Sequence, residues 1–361
     1  MHESGRKATG DNTASTVESS KSPPAEIRGR LLWHGEELAR RQDWLQQLDR
    51  EQVHAISHAL AMFAENTATN SEPDPDATHL LSPLNSLLQQ TQTNLEHGSG
   101  ATWIRGFPLT DCTTSQAASV FWSLVHRIGT PVSQTASGER LFDVRDAGFG
   151  KEDSRTRGPN TRKRLSFHTD RCDVIGFLCL QQAKAGGENH LVSSAALYNR
   201  ISSERPDLLA ELLRPYPYQR HNVDRGNATA YCYQPIFSFC DGFFATSFLR
   251  VLIDRADASG EVPSLTDLQR EAIDYLEQTA EDRQLQYRFQ LERGDMLFLN
   301  NWTTLHRRTE FIDWPEPERR RHLLRVWLSV PNSRPLDPRF AENFGDTRRG
   351  ALRGGMRHRQ A

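Results

Sequence analysis

Apolar residues recur at helical spacing in DWLQQLDREQVHAISHALAMFAEN (43–66), where Trp44, Leu45 and Leu48 are followed by Val53, Ile56, Leu60 and Phe63. That period predicts a helix with one buried face. TTSQAASVFWSLVHRIG (113–129) predicts a second helix, opening in hydroxyl caps and stopping at Gly129. TDLQREAIDYLEQTA (266–280) predicts a third, with Thr266 and Gln269 in capping-box spacing and Leu268, Ile273 and Leu276 on one side. SEPDPDATHLLSP (71–83) reads as a loop. Short apolar runs predict strands: TWIRGF, RLFDVRD, LSFHT, VIGFLCL, NHLVSS, FFATSF, YRFQL, DMLFLNN and LLRVWLSV. They do not alternate with helices, which argues against a doubly wound parallel sheet. The expected fold is mainly β with flanking helices (α+β), a single antiparallel sandwich or barrel decorated by helices. There is no Gly-x-Gly-x-x-Gly, no P-loop and no internal repeat.

Composition narrows the class. The 361 residues are 37% hydrophobic and 25% charged, as in an ordinary globular protein, and the formal charge of −2 attracts neither nucleic acid nor anionic membrane. No apolar run approaches the roughly 18 residues of a membrane span, and the N-terminus has no apolar core of a secretory signal. Five cysteines without a Cys-x-x-Cys suit reduced thiols in the cytoplasm, with Cys179 and Cys232 as small buried side chains. Residues 1–28 read as a disordered arm, 29–340 as one folded domain, and 341–361 as an Arg/Gly-rich, solvated tail without the interleaved aromatics of an RNA-binding segment.

The chemistry starts at SFHTD (166–170). On a strand, residues two apart share a face, so His168 and Asp170 would offer an imidazole and a carboxylate side by side. His34-Gly35-Glu36 has the same spacing but no partners, and reads as a surface pair. The best third ligand is His306, just beyond the apolar run Met296–Leu299. Two histidines and one carboxylate form the facial triad of non-haem Fe(II) oxygenases, whereas structural zinc takes a fourth protein ligand. ERRRHLLRVWL places Arg321, Leu323 and Arg325 on one strand face. Inward arginines are costly to bury unless they meet anions.

HTD at 168–170, AGGEN at 185–189, GDMLFLNNWTTLHRRTEF at 294–311 and RRRHLLRVWLSVP at 319–331 resemble the taurine dioxygenase (TauD/TfdA-like) family, from about Trp103 to Pro335. The resemblance implies a double-stranded β-helix, or jelly-roll, core and an Fe(II)- and 2-oxoglutarate-dependent oxygenase using O2. It implies that His168, Asp170 and His306 ligate iron, and that Arg321 clamps the far carboxylate of 2-oxoglutarate. Asn189 stands where the family usually has a Thr or Ser facing the cosubstrate. Arg325 occupies the place that holds an anionic group of the substrate. Phe248, Arg250 and Trp302 are further pocket candidates. The implied reaction is hydroxylation of a small, anionic, amino-acid-like metabolite, with succinate and CO2 released. Desaturation or ring closure would use the same iron, and a zinc-dependent hydrolase or isomerase is the rival from another class. The partner is a small molecule, with no nucleic acid or membrane; oligomeric state is not legible.

Overall fold

The computed structural model describes residues 24–63, 79–149, 158–221, 224 and 226–357. Within these the strands are β1 (Leu45–Gln47), β2 (Ala101–Arg105), β3 (Thr130–Val132), β4 (Leu141–Val144), β5 (Val174–Gln181), β6 (Ala185–Gly186), β7 (Asn189–Ser193) and β8 (Pro215–Gln219). They continue with β9 (Tyr231–Pro235), β10 (Phe237–Cys240), β11 (Phe243–Thr246), β12 (Gln286–Phe289), β13 (Met296–Asn300), β14 (Thr304–Arg308), β15 (Phe311–Ile312) and β16 (His322–Ser329).

A major sheet runs β1-β2-β13-β5-β16-β3, with β4 also on β16. A minor sheet runs β12-β7-β14 and is antiparallel throughout. Between the sheets lies one core: Leu191 and Phe289 of the minor sheet meet Ile175, Leu297, Leu299, Leu323 and Trp327 of the major. The other face of the major sheet, with Leu178, Met296, Phe298, Leu324 and Val326, packs on the helices Arg50–Met62, Asn85–His97 and Thr114–Val125. This two-sided burial explains why β13 reads as an unbroken apolar run: all five of its residues are buried. The jelly-roll expectation is met by these two facing sheets. A third core gathers the helices Ser194–Glu204, Pro206–Leu212 and Asp267–Ala280 against the hairpins β8–β9 and β10–β11.

Several local expectations change. The helix expected over 43–66 is divided. Trp44 is drawn into an aromatic cluster with Trp103, Tyr287 and Phe289, and Leu45–Gln47 pairs in parallel with β2. The helix begins only at Arg50, where Asp49 accepts from the Gln52 N–H and Gln52 reciprocates. Its apolar face, Ala55, Ile56, Ala59 and Leu60, is buried, each large side chain contributing about 1.5–3 kcal/mol. The Thr113 cap and the Thr266–Gln269 capping box form as expected, but Leu268 is exposed while Ile273 and Leu276 are buried. LSFHT is not a regular strand; only His168 bridges, to His306.

The arm expected over 1–28 lies outside the described residues up to 23. Its last residues dock: Tyr198 donates to the Pro24 carbonyl (2.6 Å), Ser202 to Ala25 (2.9 Å), and Ile27 is buried. The solvated tail is corrected over 341–357. Phe344 and Met356 are buried, and Arg353 pairs with Asp173 at 2.7 Å, both side chains at most 1% exposed. Glycine-rich composition concealed a segment fixed by one buried ion pair. His34 and Glu36 behave as the surface pair expected, His34 capping a short helix and Glu36 pairing with Arg40. Among the described residues no helix is long and apolar enough to cross a membrane.

Candidate active site

The site is built where the chain leaves the minor sheet. β14 pairs with β7 on one side, and on its other side the irregular segment 165–168 adds a narrow edge. Leu165 N–H donates to Arg308 (2.9 Å), His168 N–H to His306 (3.0 Å), and His306 N–H back to His168 (3.1 Å). This reciprocal pair sets the two imidazoles side by side, with ring centroids 4.5 Å apart and planes tilted by 45°. The turn that follows is fixed at each residue. Thr169 N–H donates to the Phe248 carbonyl (2.8 Å) and its Oγ1 accepts from Phe248 N–H (2.9 Å). Asp170 N–H donates to Asn301 Oδ1 (2.9 Å). The carboxylate of Asp170 is thereby brought over the imidazoles without help from strand alternation.

One ligand atom from each of His168, Asp170 and His306 lies within 4.8 Å of the others. Asp170 Oδ2 stands 3.4 Å from His306 Nε2 and 4.0 Å from His168 Nε2, and has no hydrogen-bond partner among the described residues. A buried carboxylate oxygen left unpaired among two imidazoles is a strong demand for a cation. His168 Nδ1–H donates to the Ser166 carbonyl (2.8 Å), which fixes the tautomer and leaves Nε2 as the free lone pair. Burial, with His306 alongside, pushes His168 down to about 4, so it stays neutral and able to ligate at ordinary pH. Burial alone would raise the Asp170 carboxyl, but contact with His306 and the charge of Arg325 outweigh it and hold the group well below the usual carboxylate range. The donor set fits a divalent metal held on one face.

The triad opens into a cavity of about 810 Å³. Arg321, Arg325, Arg308 and Asn189 line it with the triad. Arg321 is 5% exposed and has no carboxylate partner among the described residues. Its N–H is held by Asp313 (2.8 Å), and its guanidinium lies over the Phe311 ring (5.2 Å). Burial pulls it down to about 10. Gly186 and Gly187 hold positive φ (72° and 76°) beside it; a Cβ on Gly187 would stand 3.3 Å from Arg321 Nε. Gly187 therefore keeps open the space beside this guanidinium, while a Cβ on Gly186 would strike the Glu310 carbonyl. Arg308, pulled by burial to about 9, spends its donors on the carbonyls of Thr161, Arg162 and Thr309.

Arg325 sits on the inter-sheet face of β16, opposite Phe177 on β5. Its Nε donates to Gln134 Oε1 (2.7 Å), and its plane lies near the Phe142 and Trp327 rings. Its Nη2 has no hydrogen-bond partner among the described residues. Asp295, a conceivable internal acid for it, is instead paired with Arg105.

The remaining candidates separate. Arg250 lines the cavity but is paired with Asp254, Asp274 and Glu277. Phe248 is fully buried in the third core and reaches the site only through the backbone that holds Thr169. Trp302 is also core, packed on Phe340 and Phe344, with its Nε1–H on Asp173 (2.8 Å). Large aromatics near the motif were thus drawn into packing. Sequence reasoning missed Gln134, which is 191 residues from Arg325, and Asn301, whose neighbouring-asparagine run was the one visible signal.

A family model described as "Taurine catabolism dioxygenase TauD, TfdA family" matches residues 68–327. The chain is 32% identical over 325 residues to FR-33289 synthase of Streptomyces rubellomurinus (strain ATCC 31215), covering 88% of this chain and 94% of that one. Among solved structures, asparagine oxygenase in complex with Fe(II), 2S,3S-3-hydroxyasparagine and succinate superposes with a TM-score of 0.61 at 17% identity, over 79% of this chain and 93% of that one. The non-heme iron oxygenase OrfP with Fe, succinate and (3S)-hydroxy-L-Arg gives 0.58 at 14% identity, over 79% and 94%.

Proposed function

We propose a substrate class and residue roles for a chain that belongs to the taurine catabolism dioxygenase TauD, TfdA family. It is an Fe(II)- and 2-oxoglutarate-dependent dioxygenase, and its substrate is a small amino-acid-like molecule with a free carboxylate, which it hydroxylates. The observation that carries the substrate class is Arg325 Nη2, a buried and unpartnered guanidinium donor in the cavity of the triad. The 2S,3S-3-hydroxyasparagine and (3S)-hydroxy-L-Arg bound in the two solved structures support the same class.

In this reading His168, Asp170 and His306 hold the iron. Iron with 2-oxoglutarate and O2 supplies the oxidation of an unactivated C–H bond, with succinate and CO2 released. Ser166 and Asn301 keep two of the three ligands in orientation through the hydrogen bonds above. Arg321 binds the far carboxylate of 2-oxoglutarate, because it is the charge that Gly187 leaves accessible and no internal acid answers. Asn189, at the head of β7, offers the cosubstrate an amide from the facing sheet. Arg325 takes the substrate carboxylate, and Gln134 and the two flanking rings hold its plane. The walls of both sheets exclude water from the C–H bond under attack. A cytoplasmic setting belongs to the same reading and is supported by five free thiols.

A screen of amino acids and related anionic metabolites for stimulated succinate release tests the proposal. At least one compound with a free carboxylate should stimulate release. Turnover that persists without 2-oxoglutarate and O2 would replace this reading with hydrolase or isomerase chemistry.

A further inference from the structure

The cavity has a second polar wall, away from β16. It is formed by the hairpin β8–β9, by Arg220 immediately after β8, and by Arg171, Ser247 and Asn343. The side chains of Arg171 and Arg220 are largely covered there, 11% and 5% exposed. They share one fully buried carboxylate, Asp224, in direct contact with Arg171 Nη1 and 3.9 Å from Arg220. Arg220 also reaches Glu342 (3.4 Å), but that side chain is 47% exposed at the rim, where solvent screens it. Two guanidiniums thus converge on one buried acid.

The remaining donors of the wall are committed. Arg220 donates to the carbonyls of Thr229 (3.0 Å) and Glu342 (3.1 Å) and to Asn343 Oδ1 (3.4 Å). Asn343 Nδ2 donates to Gln234 Oε1 (2.9 Å), and Gln234 Nε2 to Ser247 Oγ (2.8 Å). This chain of bonds fixes the geometry and leaves a gap: Arg171 lines the cavity, and its buried Nε has no hydrogen-bond partner among the described residues. A buried, charged donor left unfilled on a rigid wall calls for an anionic acceptor. The cavity is also large, at about 810 Å³ in the upper part of the range that encloses drug-sized ligands. Arg321 and Arg325 stand on another element, β16 and the residue before it, and their anions are already assigned.

We infer that the substrate is two-ended, with a carboxylate on Arg325 and a second anionic, oxygen-bearing group on the Arg171–Arg220 wall. This rests on the reading of Arg325 given above and extends it from one anchor to two. Binding at both ends would fix which carbon of the intervening chain faces the triad.

The test uses the holoenzyme loaded anaerobically with Fe(II) and saturating 2-oxoglutarate. Calorimetry compares α,ω-dicarboxylates from glutarate to azelate with the monocarboxylates of equal chain length. At the fitting length the dicarboxylate should bind about tenfold to a hundredfold more tightly, the value of one charge-assisted hydrogen bond. Arg171→Lys keeps a charge beside Asp224 but deletes the Nε donor, and should collapse that gap. The double variant Arg171→Met with Asp224→Asn should do the same, removing the Arg171–Asp224 pair together and leaving Arg220 its pair with Glu342. Arg325→Leu should weaken both members of each pair. Monocarboxylates that bind through Arg325 with no gain from a second carboxylate would overturn the two-ended inference alone. A gap that survives both Arg171 variants would overturn it as well. Failure of either class to bind the wild-type holoenzyme would remove the Arg325 reading and this one together.

Discussion

Arg325→Leu separates a binding residue from a folding one. This side chain is 5% exposed, makes one side-chain hydrogen bond, to Gln134 at 2.7 Å, and leaves Nη2 unpaired among the described residues. Burial disfavours its charge, while the nearby carboxylate of Asp170 supports it. Leucine removes the cost of burying that charge and fills part of the same space between Phe142 and Trp327. Against this, Gln134 Oε1 loses its partner, a penalty of about 1–3 kcal/mol. The two effects oppose each other, so the melting temperature should shift little. The effect on substrate is one-sided: a carboxylate that met a fixed guanidinium now meets a methyl group, costing about 2–5 kcal/mol. That range corresponds to a rise of about thirtyfold to a few thousandfold in the substrate dissociation constant. Affinity for 2-oxoglutarate and succinate formation without substrate should be nearly unchanged, because Arg321 is untouched. The assays are substrate-dependent succinate release, 2-oxoglutarate titration and thermal unfolding on one preparation. A destabilised protein with unchanged substrate affinity would refute the reasoning and with it the anionic-substrate class.

Other perturbations address the rest of the site. His306→Ala and Asp170→Ala should each abolish turnover and metal retention in a folded protein, since a three-ligand site has no spare; full activity in either would show the wrong ligand was chosen. Arg321→Ala should raise the KM for 2-oxoglutarate by the equivalent of about 2–5 kcal/mol, while Arg320→Ala, at an exposed residue bonded to the Trp314 and Pro315 carbonyls, should not; the reverse result would place the clamp one residue earlier. Gly187→Ala forces a side chain into positive φ, at about 1–2 kcal/mol, and puts a Cβ against Arg321, so 2-oxoglutarate affinity should fall; unchanged affinity would free that glycine from the cosubstrate site. Arg353→Met leaves Asp173 buried without its ion-pair partner and should cost about 3–5 kcal/mol in unfolding free energy; a melting temperature equal to wild type would show that the C-terminal segment is not fastened there.

What the sequence disclosed follows from the range of the forces involved. The apolar runs of β5, β13 and β16 were visible because both faces of the major sheet are buried, so almost every side chain had to be apolar. The exceptions then stood out, and Arg325 was one of them. The caps at Thr113 and Thr266 were visible because donor and acceptor are three residues apart. His168 and Asp170 were found for a reason that proved incomplete. Strand alternation was expected to align them, but the residues around them form only one bridge, and hydrogen bonds to Ser166, Phe248 and Asn301 do the aligning. Trp44 misled because helical spacing continued through it, whereas an aromatic cluster built from Trp103, Tyr287 and Phe289 captured it.

The C-terminal segment shows the same limit in its sharpest form. Arginine and glycine are what solvated tails contain, and here they are also what a buried strap requires. Asp173 takes Arg353 Nε (2.7 Å), Trp302 Nε1–H (2.8 Å), Ser329 Oγ–H (3.3 Å) and Val330 N–H (3.0 Å). One carboxylate thus joins the end of β16, the β13–β14 turn and the C-terminal segment, three residues from Asp170. Gly354 and Gly355, both at positive φ, let the backbone lie against Arg171, whose carbonyl accepts Gly355 N–H at 2.8 Å. A Cβ on Gly354 would come within 2.7 Å of that carbonyl oxygen. The segment that composition marks as solvated therefore supports the loop carrying Asp170 and Arg171 from behind. Its arginine is held by a charge and its glycines by close approach, and neither constraint leaves a periodic trace in the chain.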